Sequence, residues 1–198
     1  MRAYGISGLT VVDRLGVLLS RRRIRNALRG YDSPDVLDIG CGHHASQLRD
    51  LAPHIHSGMG IESSVSDEAK AVPNLRFLED AAERALPTLE PASFDVVMMI
   101  SVLEHVWEPL DVLRECRRVL RPKGSLVLNV PNWRGKTFLE LAAFRLKVST
   151  PEGVEDHKTY YDKRDLWPLL VRSGFMPSQI RMGYHKFGLN LFAVAKMA

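Results

Sequence analysis

The residues of this chain best placed for ligand chemistry are an acid and two glycines that follow it, with a second acid closing the next apolar run. Val36-Leu37-Asp38-Ile39-Gly40-Cys41-Gly42 is an apolar run that carries a carboxylate and then breaks at glycines. It reads as a buried strand ending in a tight turn, where backbone can approach a ligand closely. Asp38 then stands near the carboxyl end of a strand, the ligand position of an open α/β sheet. A carboxylate there suits a ligand with a cationic end better than a bare pyrophosphate. Gly40-Cys41-Gly42-His43-His44-Ala45 also fits G-x-G-x-x-G/A. Glu62 ends the next strand where a cofactor's ribose hydroxyls are held, so this spacing alone leaves a nicotinamide dinucleotide open.

Two histidines are candidates for acid–base work, because an imidazole with an ordinary pKa near 6.5 can take a proton at neutral pH. His105 follows the fourth apolar run. Its competing reading is that Glu104-His105 caps or packs the start of the next helix. His157 stands beside Tyr160 and Tyr161, and its competing reading is a surface loop histidine. Trp133, Tyr160 and Tyr161 could wall a pocket, since aromatics supply area and a polar edge; ordinary packing is the alternative. Cys41, His43 and His44 do not have the spacing of a structural zinc site, and no second Cys/His pair follows, so no metal centre is expected. His54 and His56 read as solvent-exposed.

Alternating elements must position these groups. Residues 9–29 carry Val11, Val12, Leu15, Leu18, Leu19, Ile24 and Leu28 at roughly helical spacing, with Gly30 as a stop. Strands are expected at Val36–Ile39, Ser57–Glu62, Leu75–Leu78, Asp95–Ile100 and Ser125–Val130. Helices are expected around Ala45–Leu51, Ser66–Ala71 and Pro109–Arg121, the last stopped by Pro122-Lys123-Gly124. Five strands alternating with helices argue for βαβ units and a parallel sheet. Beyond Pro131 a basic and aromatic stretch is expected to be helical around Thr137–Leu146. A charged loop with Pro151 and Gly153, a helix over Lys163–Ser173 and strands at Met176–Met182 and Asn190–Ala195 follow.

At this point the chain resembles the class I S-adenosylmethionine (SAM)-dependent methyltransferases, most closely the small-molecule branch with an Asp-x-Gly-x-Gly first motif. Val36–Gly42 is similar to the first motif and Gly60-Ile61-Glu62 to the second. Glu79-Asp80-Ala81 is similar to the third, and Phe94 through Val106 to the fourth strand and its loop. Leu113 to Leu128 is similar to the helix, turn and fifth strand. The resemblance implies a Rossmann-like α/β fold, a mostly parallel seven-stranded sheet with an antiparallel edge hairpin and helices on both faces. It implies one methyltransferase domain over 31–198 with an acceptor-side insertion at about 132–162, and 1–30 as a basic amphipathic cap or lid. It implies SAM as cofactor, leaving as S-adenosylhomocysteine. Asp38, Gly40, Cys41 and Gly42 would hold its methionine end, Glu62 and Ser63 the ribose, Asp80 and Ala81 the adenine, with Ser101 at the fourth strand's tip. His105 falls on the acceptor side. The chain departs from the pattern at His43-His44, where many relatives carry a small residue or third glycine; bulk there crowds the methionine end or re-aims the turn.

Composition bounds the rest. The 198 residues fit one domain, and 45% hydrophobic residues suffice for a core. Net charge is +4, yet residues 1–30 hold seven arginines against Asp13 alone, so the remainder is slightly acidic. That segment reads as a lid, as a contact for an anionic acceptor or membrane surface, or as a solvated face. A remainder that is not basic argues against nucleic acid. No apolar run has transmembrane length and no secretory signal pattern is seen; Cys41 and Cys116 read as reduced thiols of a cytoplasmic protein. The expected function is methyl transfer by direct displacement to a small-molecule or lipid- or sugar-linked acceptor. The alternatives are a non-catalytic SAM- or partner-binding module, an RNA or protein methyltransferase, and an NAD-dependent oxidoreductase.

Overall fold

The computed structural model describes residues 11–140 and 156–198, with the side chains of 18–136 and 156–198. Strands β1 (Asp35–Ile39), β2 (Ser57–Glu62), β3 (Leu75–Glu79), β4 (Phe94–Ile100) and β5 (Leu120–Pro131) run parallel. β6 (Ile180–His185) and β7 (Asn190–Lys196) form an antiparallel hairpin, and β7 pairs antiparallel with β5. The order β3-β2-β1-β4-β5-β7-β6 makes one seven-stranded sheet. The mostly parallel sheet with an antiparallel edge hairpin is therefore as the sequence indicates.

Helices α1 (Val11–Leu28), α2 (Ser46–Leu51), α3 (Asp67–Lys70), α4 (Ala82–Ala85), α5 (Pro109–Val119), α6 (Trp133–Glu140) and α7 (Lys163–Arg172) surround it. A parallel strand covered on both faces must be apolar on both, which is why β4 reads as an unbroken run. Leu37, Ile39, Val97, Met99, Leu126 and Leu128 pack with Leu113 and Cys116 of α5 and Leu166 and Leu170 of α7. On the other face Val36, Val96, Met98 and Val127 meet Ile24 and Leu28 of α1 and Leu48 and Leu51 of α2. In α1 the arginines Arg22, Arg23 and Arg25 are exposed, as is Arg29 just after it, while Arg21 pairs with Asp50. Arg23 donates to the Tyr184 carbonyl at 3.3 Å and lies over the Phe192 ring. The described half of α1 thus serves as a structural layer. Among the described residues no helix is long and apolar enough to cross a membrane.

Three boundaries differ from expectation. α5 stops at Val119 and β5 begins at once, so Pro122-Lys123-Gly124 is not a helix terminator. Those residues bulge out of β5, whose register on β4 jumps from Phe94–Leu120 to Val96–Ser125. The bulge places Arg121 Nη1 between Asp95 Oδ2 (2.7 Å) and Asp35 Oδ2 (2.8 Å). β6 starts at Ile180 rather than Met176, because Pro177–Gln179 forms a 3₁₀ turn. α6 begins already at Trp133; residues 141–146 of the expected helix and the loop with Pro151 and Gly153 lie outside the described residues.

Asp35 gives this end of the sheet a pH dependence. Burial pushes its carboxyl up, but hydrogen bonds from Ser57, His56 and Arg121 outweigh that and hold it at about 2, against an ordinary 3.8. The folded state therefore binds this proton less readily than the unfolded state. The resulting stability is fully present above about pH 4 and is lost as pH falls through about 2. Unfolding in urea between pH 2 and 6 is expected to show on the order of 2 kcal/mol from this group, absent in Asp35→Asn.

Candidate functional site

β1 and β4 are neighbours: from β1 the chain steps outward through β2 to β3 on one side, then crosses back to β4 on the other. Their carboxyl ends form the crevice where open α/β sheets bind ligands. The turn after β1 can only be made by glycine. Gly40 has φ +68°, and a Cβ there would lie 2.3 Å from Val102 Cγ2. Gly42 is also at positive φ, +75°. The turn is pinned to β2: Gly40 N donates to the Ile61 carbonyl at 2.8 Å and Gly42 N to Glu62 Oε2 at 3.1 Å.

Acidic groups line this turn. Asp38 is 3% exposed, and burial together with the nearby Glu62 carboxylate pushes it up to about 7. Burial also pushes the Cys41 thiol up, aided by Asp38 and Glu62, so it stays protonated. Glu62 Oε1 accepts from Ser63 N at 2.8 Å and Ser63 Oγ at 3.0 Å. The bulk of His43 is re-aimed: its Nδ1 lies 3.2 Å from the Ser64 carbonyl, and Ser66 N donates to the His43 carbonyl at 2.8 Å. His44 is exposed. At the end of β3, Asp80 Oδ1 accepts from Ala81 N at 2.7 Å and from Arg84 Nε at 2.8 Å, leaving Oδ2 for a further donor.

The loop after β4 faces the same crevice. Ser101 holds φ +59° at the strand tip and donates its N–H to the Asn129 carbonyl at 2.7 Å. Val102, against Gly40, leads into Leu103-Glu104-His105. Residues 156–161 are sewn onto this loop by backbone bonds. Lys158 N and Thr159 N donate to the Glu104 carbonyl at 2.7 and 3.3 Å, and Tyr161 N to the Pro131 carbonyl at 3.1 Å.

That stitching brings both candidate histidines together. The His105 and His157 rings are 4.7 Å apart, edge to face. His105 Nδ1 is 3.2 Å from Asp156 Oδ2, and His157 Nδ1 is 3.0 Å from the Tyr160 hydroxyl. Burial pushes both imidazoles down, His157 to about 4. Glu104 is 1% exposed and burial drives its carboxyl up to about 8, a rise only partly offset by its own backbone and by the Lys186 charge. The Trp133 and Tyr160 rings stack obliquely at 5.6 Å, and Trp133 Nε1 donates to Asp165 Oδ2 at 3.3 Å.

Tyr161 corrects the expected aromatic wall: it is 2% exposed, packs in the core and donates its hydroxyl to the Leu103 carbonyl. Cys41, His43 and His44 form no cluster of ligand atoms, whereas Glu104, His105 and His157 do. Sequence reasoning named two of these three as bases and did not pair them.

Residues 37–128 match the family model described as "Methyltransferase domain". Over these residues the chain is similar to methyltransferases. Its fold is similar to a chain in the complex between the Haloferax volcanii Trm112 methyltransferase activator and a methyltransferase (TM-score 0.70, 15% identity, 92% of this chain and 90% of that one). It is similar also to a SAM-dependent methyltransferase of Archaeoglobus fulgidus (TM-score 0.66, 16% identity, 90% and 93% covered). In sequence it is 29% identical to the ubiquinone biosynthesis O-methyltransferase of Aliivibrio fischeri over 149 residues, 71% of this chain and 63% of that protein. The same named enzyme of Ralstonia nicotianae is 29% identical over 156 residues, with 74% and 64% covered. The chain thus spans somewhat under two thirds of the length of these relatives. The family's cofactor is SAM, and the methyltransferase domain here fits it: a buried acidic cradle beside a glycine turn suits a ligand with cationic ammonium and sulfonium groups.

Proposed function

We propose that this protein transfers the methyl group of SAM to an oxygen of a small, planar acceptor. The carrying observation is the packing of Val102 against Gly40, which sets the Glu104-His105 loop directly beside the glycine turn. Asp38 and the Gly40, Cys41 and Gly42 backbone would hold the methionine end, Glu62, its carboxylate oriented by the Ser63 backbone N–H, the ribose, Asp80 and Ala81 the adenine, and Ser101 the edge toward the acceptor. The bound cofactor supplies an electrophilic methyl group, and the chain's own residues bind and orient. Trp133, half exposed, offers its ring face to a planar acceptor, while Tyr160 is buried and backs it, and the His105–His157 pair stands on the acceptor side. Such orientation can contribute about 7–11 kcal/mol to the barrier reduction. Oxygen is chosen because the relatives matched over most of the chain are named as O-methyltransferases.

Calorimetry with S-adenosylhomocysteine, with NAD as control, followed by methyl transfer to a panel of phenols and catechols, tests this. Binding of the first ligand alone and transfer to a phenolic oxygen are expected; NAD binding overturns the reading. The alternative is a non-catalytic SAM- or partner-binding module. It requires cofactor binding with no transfer to any acceptor. Trp133→Ala is expected to raise the acceptor KM about 3- to 10-fold, the worth of one aromatic contact, with S-adenosylhomocysteine affinity unchanged.

A further inference from the structure

Three groups from two distant segments converge after β4. One ligand atom each from Glu104, His105 and His157 lies within 4.8 Å of the other two. Glu104 Oε2 is buried and has no hydrogen-bond partner. A buried carboxylate without a partner is costly, and the cost is repaid when a cation sits against it. Both imidazoles are held from behind through Nδ1, His105 by the Asp156 carboxylate and His157 by the Tyr160 hydroxyl. A ring nitrogen tied to a carboxylate or other polar group, leaving Nε2 for the ion, is the outer-shell arrangement of metal-binding histidines. The Lys158 and Thr159 bonds to the Glu104 carbonyl fix the segments relative to each other, so the ligand set is preformed.

We infer that Glu104, His105 and His157 bind one divalent cation of the zinc or manganese type. Two imidazoles and one carboxylate favour such first-row ions over magnesium or calcium, which prefer all-oxygen sites. Three protein ligands also leave coordination positions open, as in catalytic rather than structural zinc sites. Those positions would take water or an acceptor oxygen. Placing the acceptor there rests on the methyl-transfer reading, whereas the cation site does not.

The test is calorimetry of the metal-free full chain with Zn²⁺, Mn²⁺ and Mg²⁺, without cofactor or acceptor, together with the visible spectrum of bound Co²⁺. About one equivalent of Zn²⁺ is expected to bind, more tightly than Mn²⁺, with Mg²⁺ weakest. His105→Ala and His157→Ala should each weaken Zn²⁺ by more than about 100-fold and alter the Co²⁺ spectrum, and Asp156→Asn by about 10- to 100-fold. His43→Ala/His44→Ala should change neither. S-adenosylhomocysteine binding by each variant checks the fold. Substoichiometric Zn²⁺ in the parent chain, or undiminished affinity in both single-histidine variants, overturns the site. Loss of S-adenosylhomocysteine binding by the parent chain would instead remove the methyl-transfer reading and leave the cation result standing.

Discussion

Glu62→Ala is expected to lower S-adenosylhomocysteine affinity by roughly 100-fold or more. Hydrogen bonds to a charged group are worth about 1.5–3 kcal/mol each, and two ribose hydroxyls would be lost from one carboxylate. The structure adds a second cost. Glu62 Oε2 holds the Gly42 N–H, so its removal also loosens the glycine turn, which then keeps only its backbone bonds to the Ile61 carbonyl. A carboxylate offers about four acceptor sites, and three are taken here, by Gly42 N, Ser63 N and Ser63 Oγ. A ribose that bonds through both hydroxyls must therefore displace the Ser63 hydroxyl. Ser63→Ala is then expected to leave affinity equal or slightly higher, whereas Glu62→Ala lowers it. Isothermal titration at one pH with both variants decides the matter. Unchanged affinity in Glu62→Ala takes that residue out of the site, and a large loss in Ser63→Ala makes the serine the ligand instead.

The features legible in the sequence were those with one local cause. β4 shows as an apolar run because a parallel strand has no wet face, and Gly40 because no other residue fits against Val102 at positive φ. The start of β5 was hidden, since Pro122 and Gly124 carry the same signal in a helix stop and in a bulge. What decides for the bulge is Arg121 reaching Asp35 and Asp95, two partners distant in sequence. The histidine pair was hidden for a related reason. His157 is delivered to His105 by main-chain donors of Lys158 and Thr159, and backbone bonds leave no trace in residue type. Tyr160 and Tyr161 show the same limit: adjacent tyrosines point to opposite destinations, one to the His157 ring and one into the core, and only the path of the chain distinguishes them.

Asp38→Asn is expected to stabilise the ligand-free protein in mild alkali while weakening cofactor binding, a pairing that marks a carboxylate held for a ligand rather than for the fold. The folded-state value of about 7 lies above the ordinary 3.8, so the folded chain holds this proton more tightly than the unfolded one. Its contribution is harmless below about pH 4, grows unfavourable from 4 to 7, and is a full penalty above 7, with an upper bound of about 4 kcal/mol. An amide carries no such penalty, so urea unfolding should separate variant from parent at pH 8 and hardly at all near pH 4. The same substitution would remove the charge proposed to face the cofactor's ammonium group. Losing one partner of a buried charge pair costs about 2–5 kcal/mol, so S-adenosylhomocysteine should bind at least about 30-fold more weakly at pH 8. Binding to the parent chain near pH 6.5 should also expel the Asp38 proton, making the calorimetric heat depend on the buffer's ionisation enthalpy. Because Glu62 helps raise Asp38, Glu62→Ala should shift that proton release to lower pH. A stable Asp38→Asn variant with parental affinity would show that the buried charge serves some end other than the cofactor. Weakened binding with no gain in stability would show that the polar surroundings of the turn already solvate it.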